Sequence, residues 1–202
     1  MSATLKWSVL AVGALLHTGL LALTAIMLPS AVLSEPYWVA FVVIVVLGST
    51  AEAAMTNHVD HSQRGPCLVL SVAQTVGILI VAGFFFAHVE RHFTTQGFQY
   101  LQPAGIALLA IGFGLRLWAI ATLGCDFQTA ITTPQTIAID GPYRWMKHPG
   151  ETGMVALAVG GPLSLGSIAT ASAILLLLAP IAAWRMNLEN RLLTKLKGEL
   201  TH

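Results

Sequence analysis

Near-continuous apolar runs at 7–28, 37–55, 67–87 and 103–123 constrain this chain more than any other feature. Each is about 20 residues long, enough to cross a hydrocarbon core of roughly 30 Å as a helix. A lipid-embedded segment has little choice but to be helical, because lipid offers no partner to an open backbone N–H or C=O. Composition agrees. Of the 202 residues 55% are hydrophobic and only 9% are charged, and the mean hydropathy is +0.75. An ordinary soluble domain carries about a quarter of its residues charged, so that class is excluded. A formal net charge of +1, with no basic and aromatic-interleaved surface, leaves no case for a nucleic-acid partner. Cys67 and Cys125 show neither metal spacing nor a disulfide framework and read as reduced packing residues. The run 7–28 is too long for the apolar core of a signal peptide and lacks a small-residue cleavage site, which predicts a retained helix.

Residues 150–184 decide the architecture. As one straight helix they would run roughly 52 Å, too long for a bilayer. Gly160, Gly161, Pro162 and Gly166 should also break it. The expectation is therefore a half-helix at 151–160, a turn, and a span at 167–184, followed by a surface helix with Leu188, Leu192 and Leu196 on one face and Arg191, Lys195 and Lys197 opposite. Under this hairpin reading Lys6, Arg64, Arg144, Lys147, Arg185, Arg191, Lys195 and Lys197 share one side, with Arg91 opposite and Arg116 inside a span. The positive-inside rule makes the shared side cytoplasmic. The predicted fold is all-α and integral to the membrane: about five spans, a half-helix forming a hairpin before the last span, and a cytoplasmic amphipathic helix. Residues 1–100 form the amino-terminal spans and 101–202 the other half.

Between the two blocks lies the polar stretch 140–153, with Arg144, Lys147, His148, Asp140 and Glu151. It pairs with a second charged patch that begins at Arg185. Read in order, the motifs are Gly141-Pro142-Tyr143, then Lys147-His148-Pro149-Gly150-Glu151-Thr152-Gly153, then Arg185 through Glu189-Asn190. Upstream stand Leu123-Gly124-Cys125-Asp126-Phe127 and Gly112-Phe113-Gly114. This set, across 112–193, resembles the isoprenylcysteine carboxyl methyltransferase family and its relatives, the phospholipid N-methyltransferases. Their signature runs G-x-Y, Arg-His-Pro-x-Tyr-x-Gly, then Arg-x-x-x-Glu-Glu. Glu151 stands here where the family has tyrosine, Asn190 where it has a second glutamate, and Lys147 where it has arginine.

The resemblance implies methyl transfer from S-adenosylmethionine, with cofactor contacts from Gln135, Thr136, Ile137, Ala138, Tyr143, His148, Pro149, Gly150, Glu151 and Glu189. It also implies that Arg185 faces and positions the acceptor. The acceptor is expected to be lipophilic, a carboxylate of isoprenylcysteine type, with a phospholipid-type amine or a thiol as alternatives. The residue types suit that cofactor: His148 and Tyr143 toward its carboxylate, Glu189 toward its ammonium or ribose, and Ile137 and Ala138 toward adenine. Rival readings are an NADPH-dependent membrane reductase of the sterol-reductase kind and a non-catalytic membrane subunit. Arg185 and Glu189 also fit a plain i,i+4 pair, and Gly112 and Gly114 fit close helix packing. Arg116 either snorkels to the surface or faces the site. His88 and His92, with Glu90 between them, have metal spacing but no third ligand, so no metal is expected. His58, Asp60 and His61 read as a solvated loop, and His17 as a helix–helix hydrogen bond.

Overall fold

The computed structural model describes residues 36–56, 79–80, 82–91, 93, 98–124 and 139–200. All regular structure among them is helical, with no strand. The expected span at 7–28, most of the one at 67–87, and the loop carrying His58, Asp60 and His61 lie outside the described residues. The elements are α1 (Pro36–Thr56), a helical segment at 82–91, α2 (Gln102–Leu123), α3 (Pro149–Ser164) and α4 (Ile168–Leu200). Short 3₁₀ turns at Gln99–Leu101 and Gly141–Arg144 precede α2 and α3. Gln99–Leu123 and Ile168–Arg191 are long and apolar enough to cross a membrane. Apolar side chains also point outward: Leu176 on α4 is 76% exposed, and Leu47, Ile111 and Trp118 are exposed as well. A helix apolar on its outer face as well as its inner one suits lipid better than water.

Small residues bring α2 and α3 together. A Cβ placed on Gly112 would stand 2.5 Å from the Leu157 backbone nitrogen, and one on Gly160 would stand 2.5 Å from that of Leu109. Backbones that approach this closely gain dispersion contacts, the main source of helix pairing in lipid. Phe41, Val45, Ala87, Leu109, Phe113, Leu157 and Leu165 form one buried cluster, and Met154, Ala158, Ile174 and Leu178 a second. The rings of Phe41 and Phe84 meet edge to face at 5.2 Å and join α1 to the segment 82–91.

Two expectations about helix ends are corrected. The half-helix does not stop at 160 but runs through Gly160, Gly161 and Pro162 to Ser164. Both glycines are contact points, against Leu109 and Phe84, and this packing outweighs the helix-propensity cost of about 1 kcal/mol each. The proline falls in the last turn. Its carbonyl accepts from the Leu165 and Ser167 N–H groups, and Gly166 completes the turn at φ +78°. Nor is the carboxyl-terminal helix a separate surface element, because α4 continues without a break to Leu200. Nothing in 184–190 is a stop signal, so the backbone has no reason to leave the helix.

The α3–α4 hairpin gives the bundle two polar ends. At the turn end, Glu90 accepts from the Ala169 and Thr170 N–H groups at 3.3 and 3.0 Å, capping α4. Glu90 itself lies within the helical segment. His88 is buried there. It takes a hydrogen bond from Trp38 Nε1 on its Nε2 and lies 2.9 Å from the Phe84 carbonyl through its Nδ1. The other end holds the candidate site.

Candidate functional site

The polar stretch reaches its place through the turn Gly141–Arg144. Gly141 has φ +56°, and a Cβ on it would stand 2.5 Å from Thr122 Oγ1 and 3.2 Å from Trp118 Nε1, so the chain lies directly on α2. Trp145 packs edge to face on Trp118 with ring centroids 5.6 Å apart. This docking places Tyr143 half-buried, and Pro149 then opens α3 at its first turn, where a missing N–H costs nothing. A Cβ on Gly153 would meet the Gly112 carbonyl at 2.7 Å, which fixes that first turn against α2. The hairpin returns α4 so that Arg185, Glu189 and Asn190 face the start of α3.

Three pairs result. Arg185 on α4 pairs with Glu151 on α3 at 2.9 Å, their side chains only 7% and 15% exposed. The other oxygen of that carboxylate, Glu151 Oε2, is buried and has no hydrogen-bond partner among the described residues. His148 sits between two residues of α4, with Nδ1 3.0 Å from Glu189 Oε2 and Nε2 3.2 Å from Asn190 Oδ1. Two oxygen partners call for two N–H donors and so for the charged ring. The His148 pKa is raised above its ordinary value of 6.5, chiefly by the hydrogen bond to Glu189, against the opposing effect of burial.

The third pair lies between α1 and α2. Arg116 holds the Glu52 carboxylate through Nε at 2.9 Å to both oxygens and through a terminal nitrogen at 2.6 Å to Oε1. Its remaining nitrogen lies 3.4 Å from the Gly150 carbonyl. Tyr143 stands within the field of all three groups. Burial, followed by the charge of Glu189, pushes its hydroxyl up to about 12, while Arg116 opposes and Glu151 adds to the rise. It therefore keeps its proton and remains a hydrogen-bond donor at any working pH.

Of the residues singled out in the sequence, Tyr143, His148, Pro149, Gly150, Glu151, Arg185 and Glu189 come together at this end of the bundle. Gln135, Thr136, Ile137 and Ala138 lie outside the described residues. Arg185 and Glu189 do not form the simple i,i+4 pair, since each reaches across to a residue at the start of α3. Arg116 faces the site instead of snorkelling. Gly112 is a packing residue, whereas Gly114 meets open space. Glu52 was missed. Its signal was available: a carboxylate near the end of an apolar run is expensive in lipid and calls for a partner. Asn190 was noted only as a departure from the signature, and it turns out to hold His148.

Residues 105–195 match the family model described as "Isoprenylcysteine carboxyl methyltransferase (ICMT) family". No curated protein matches the chain. The matched stretch covers α2, α3, most of α4 and all of the site except Glu52. With the two long apolar helices, the match supports a membrane methyltransferase.

Proposed function

We propose that this chain is an S-adenosylmethionine-dependent methyltransferase that takes a lipophilic acceptor from the bilayer. The observation that carries the reading is the meeting of Tyr143, His148, Glu151, Arg185 and Glu189 at one end of the α3–α4 hairpin, beside two helices apolar enough to span a membrane. Residues 34 to 41 positions apart in the chain are brought together there, which supports this reading. The same reading gives about five spans, with residues 1–100 on the acceptor side and 101–202 on the cofactor side. The site then faces the cytoplasm, where most of the cations gather.

The residues present fit the cofactor. Glu151 Oε2, a buried acceptor without a hydrogen bond among the described residues, suits an ammonium group. Tyr143, which keeps its proton, is a donor for a carboxylate. Glu189 has a side chain 42% exposed and is open to ribose hydroxyls while His148 holds it in place. When bound, the cofactor supplies an electrophilic methyl group on a sulfonium sulfur. The chain's task is then to hold two partners in line and keep water away, which is positioning more than acid–base work. The resemblance puts a carboxylate acceptor of isoprenylcysteine type first, with amines and thiols behind it. The choice among them turns on what Arg185 is free to hold.

Equilibrium binding in detergent tests the cofactor assignment. S-adenosylmethionine is expected to bind and NADPH not to. Glu189→Gln should weaken binding by about tenfold or more, since a hydrogen bond to a charged carboxylate is worth roughly 1.5–3 kcal/mol. Glu199→Gln, the next carboxylate along α4, is the control. Tighter binding of NADPH, or equal and small effects of the two substitutions, would overturn the assignment.

A further inference from the structure

The two arginines and the histidine of the site are each already matched by a carboxylate. Arg116 is held by Glu52, Arg185 by Glu151 and His148 by Glu189. None of these three cations can take an incoming anion without displacing its partner, while Arg144, Lys147 and Arg191 at the same end are exposed. Arg185 is the cation closest to hand, and its side chain is 7% exposed. To hold an acceptor carboxylate it would have to release Glu151. That carboxylate already has one buried oxygen without a hydrogen bond among the described residues, and release would leave both without one there. Separating a buried pair in this way is strongly unfavourable, because each charge loses its partner without regaining water. An anion that approached without displacing Glu151 would meet a like charge instead. What the pair does present is a carboxylate oxygen that needs a donor.

We propose that Glu151 makes the site reject anionic acceptors, so that the acceptor carries an amine or a thiol on a lipophilic body and not a carboxylate. The inference rests on the methyltransferase reading above and refines its substrate class. Glu151 is the specificity-determining residue, and Arg185 anchors it. Tyrosine, which occupies this position in the related signature, has no charge with which to neutralise Arg185. Of the differences in the motif, the exchange of tyrosine for glutamate is the one that occupies Arg185, whereas Asn190, where the signature has a second glutamate, holds His148. Whether Glu151 Oε2 takes the cofactor's ammonium or a proton-bearing group of the acceptor, it takes a donor. In either case Arg185 stays occupied by Glu151 and is not available to hold an acceptor carboxylate.

The test is direct binding of three probes with the same alkyl chain, dodecylamine, dodecanethiol and dodecanoate, by calorimetry in nonionic detergent. At about pH 7.5 the acid is fully ionised. Wild-type protein is expected to bind the amine and the thiol at least tenfold more tightly than the acid. Glu151→Gln should raise affinity for dodecanoate at least tenfold and leave the thiol nearly unchanged. This substitution strips a buried arginine of its counter-charge and risks unfolding. The double variant Glu151→Gln with Arg185→Gln, a neutral pair, is therefore run beside it, and should bring amine and acid to within a few-fold of each other. Wild type that binds the acid as well as the amine, or variants that leave the ratio unchanged, would overturn the proposal. Cofactor binding is measured separately on the same samples. Its absence would sink the methyltransferase reading without touching the probe ratio, so the two failures can be told apart.

Discussion

His148 carries the pH dependence of the site. Its ring is held between a carboxylate and an amide oxygen, and its pKa is raised above 6.5 by the hydrogen bond to Glu189. A base whose folded-state pKa lies above its unfolded value stabilises the fold fully below the unfolded value. The contribution is lost as pH rises through the folded value. The α3–α4 contact should therefore be firmest below about pH 6.5 and weaken above it. Thermal midpoints in detergent at a series of pH values should show this decline for wild type and a flatter profile for His148→Gln. Parallel profiles would remove the charged ring from the account. Tyr143 behaves in the opposite sense, since a hydroxyl pushed up to about 12 stays neutral across the whole range and supplies no pH dependence of its own.

At the scale of elements, the α2–α3 contact holds the site's two walls in register. Its glycines are not interchangeable. Gly112 faces the backbone of α3, where an added methyl meets Leu157 N at 2.5 Å and Gly153 O at 2.8 Å, while Gly114 faces open space. Neither backbone atom can rotate aside, so Gly112→Ala must force the helices apart. Overpacking of this kind costs about 1–3 kcal/mol. Gly114→Ala should cost nothing, and helix propensity even favours it. Because Gly112 packs beside Gly153 and one turn from Arg116, the larger substitution should also loosen the Arg116–Glu52 pair and weaken cofactor binding. A thermal-shift comparison of the two variants, with cofactor affinity measured on each, decides the matter. Equal midpoints would mean that the close approach carries little energy.

For the whole molecule, the hairpin brings the polar stretch and the middle of α4 to the same end, with Glu90 and the turn at the other. If the apolar helices cross a bilayer, Lys147 and Arg191, both exposed, must share a side. Lys147→Cys and Arg191→Cys, in a background with Cys67 and Cys125 replaced, should react with a membrane-impermeant thiol reagent from the same face, the cytoplasmic one. Labelling from opposite faces would break the hairpin topology and the shared site with it.

The apolar runs by themselves pointed to the helices seen among the described residues and to their fit with lipid, because backbone groups without water must satisfy one another locally. The ends of α1 and α2 were also legible, expected at 37–55 and 103–123 and observed at Pro36–Thr56 and Gln102–Leu123. So were the motif residues of the site, since their order and spacing survive in the linear chain. The ends of α3 and α4 were not. Gly160, Gly161 and Pro162 weaken a helix in isolation, and only the close approach of α2 keeps them in one. Nor could the sequence say which charges meet. Arg185 has Glu189 four residues away, yet its partner at 2.9 Å is Glu151, thirty-four positions earlier, brought there by the hairpin turn. Glu52, far from every motif, enters the site for the same reason. A buried ion pair is chosen by which helix faces meet, and that is a property of packing.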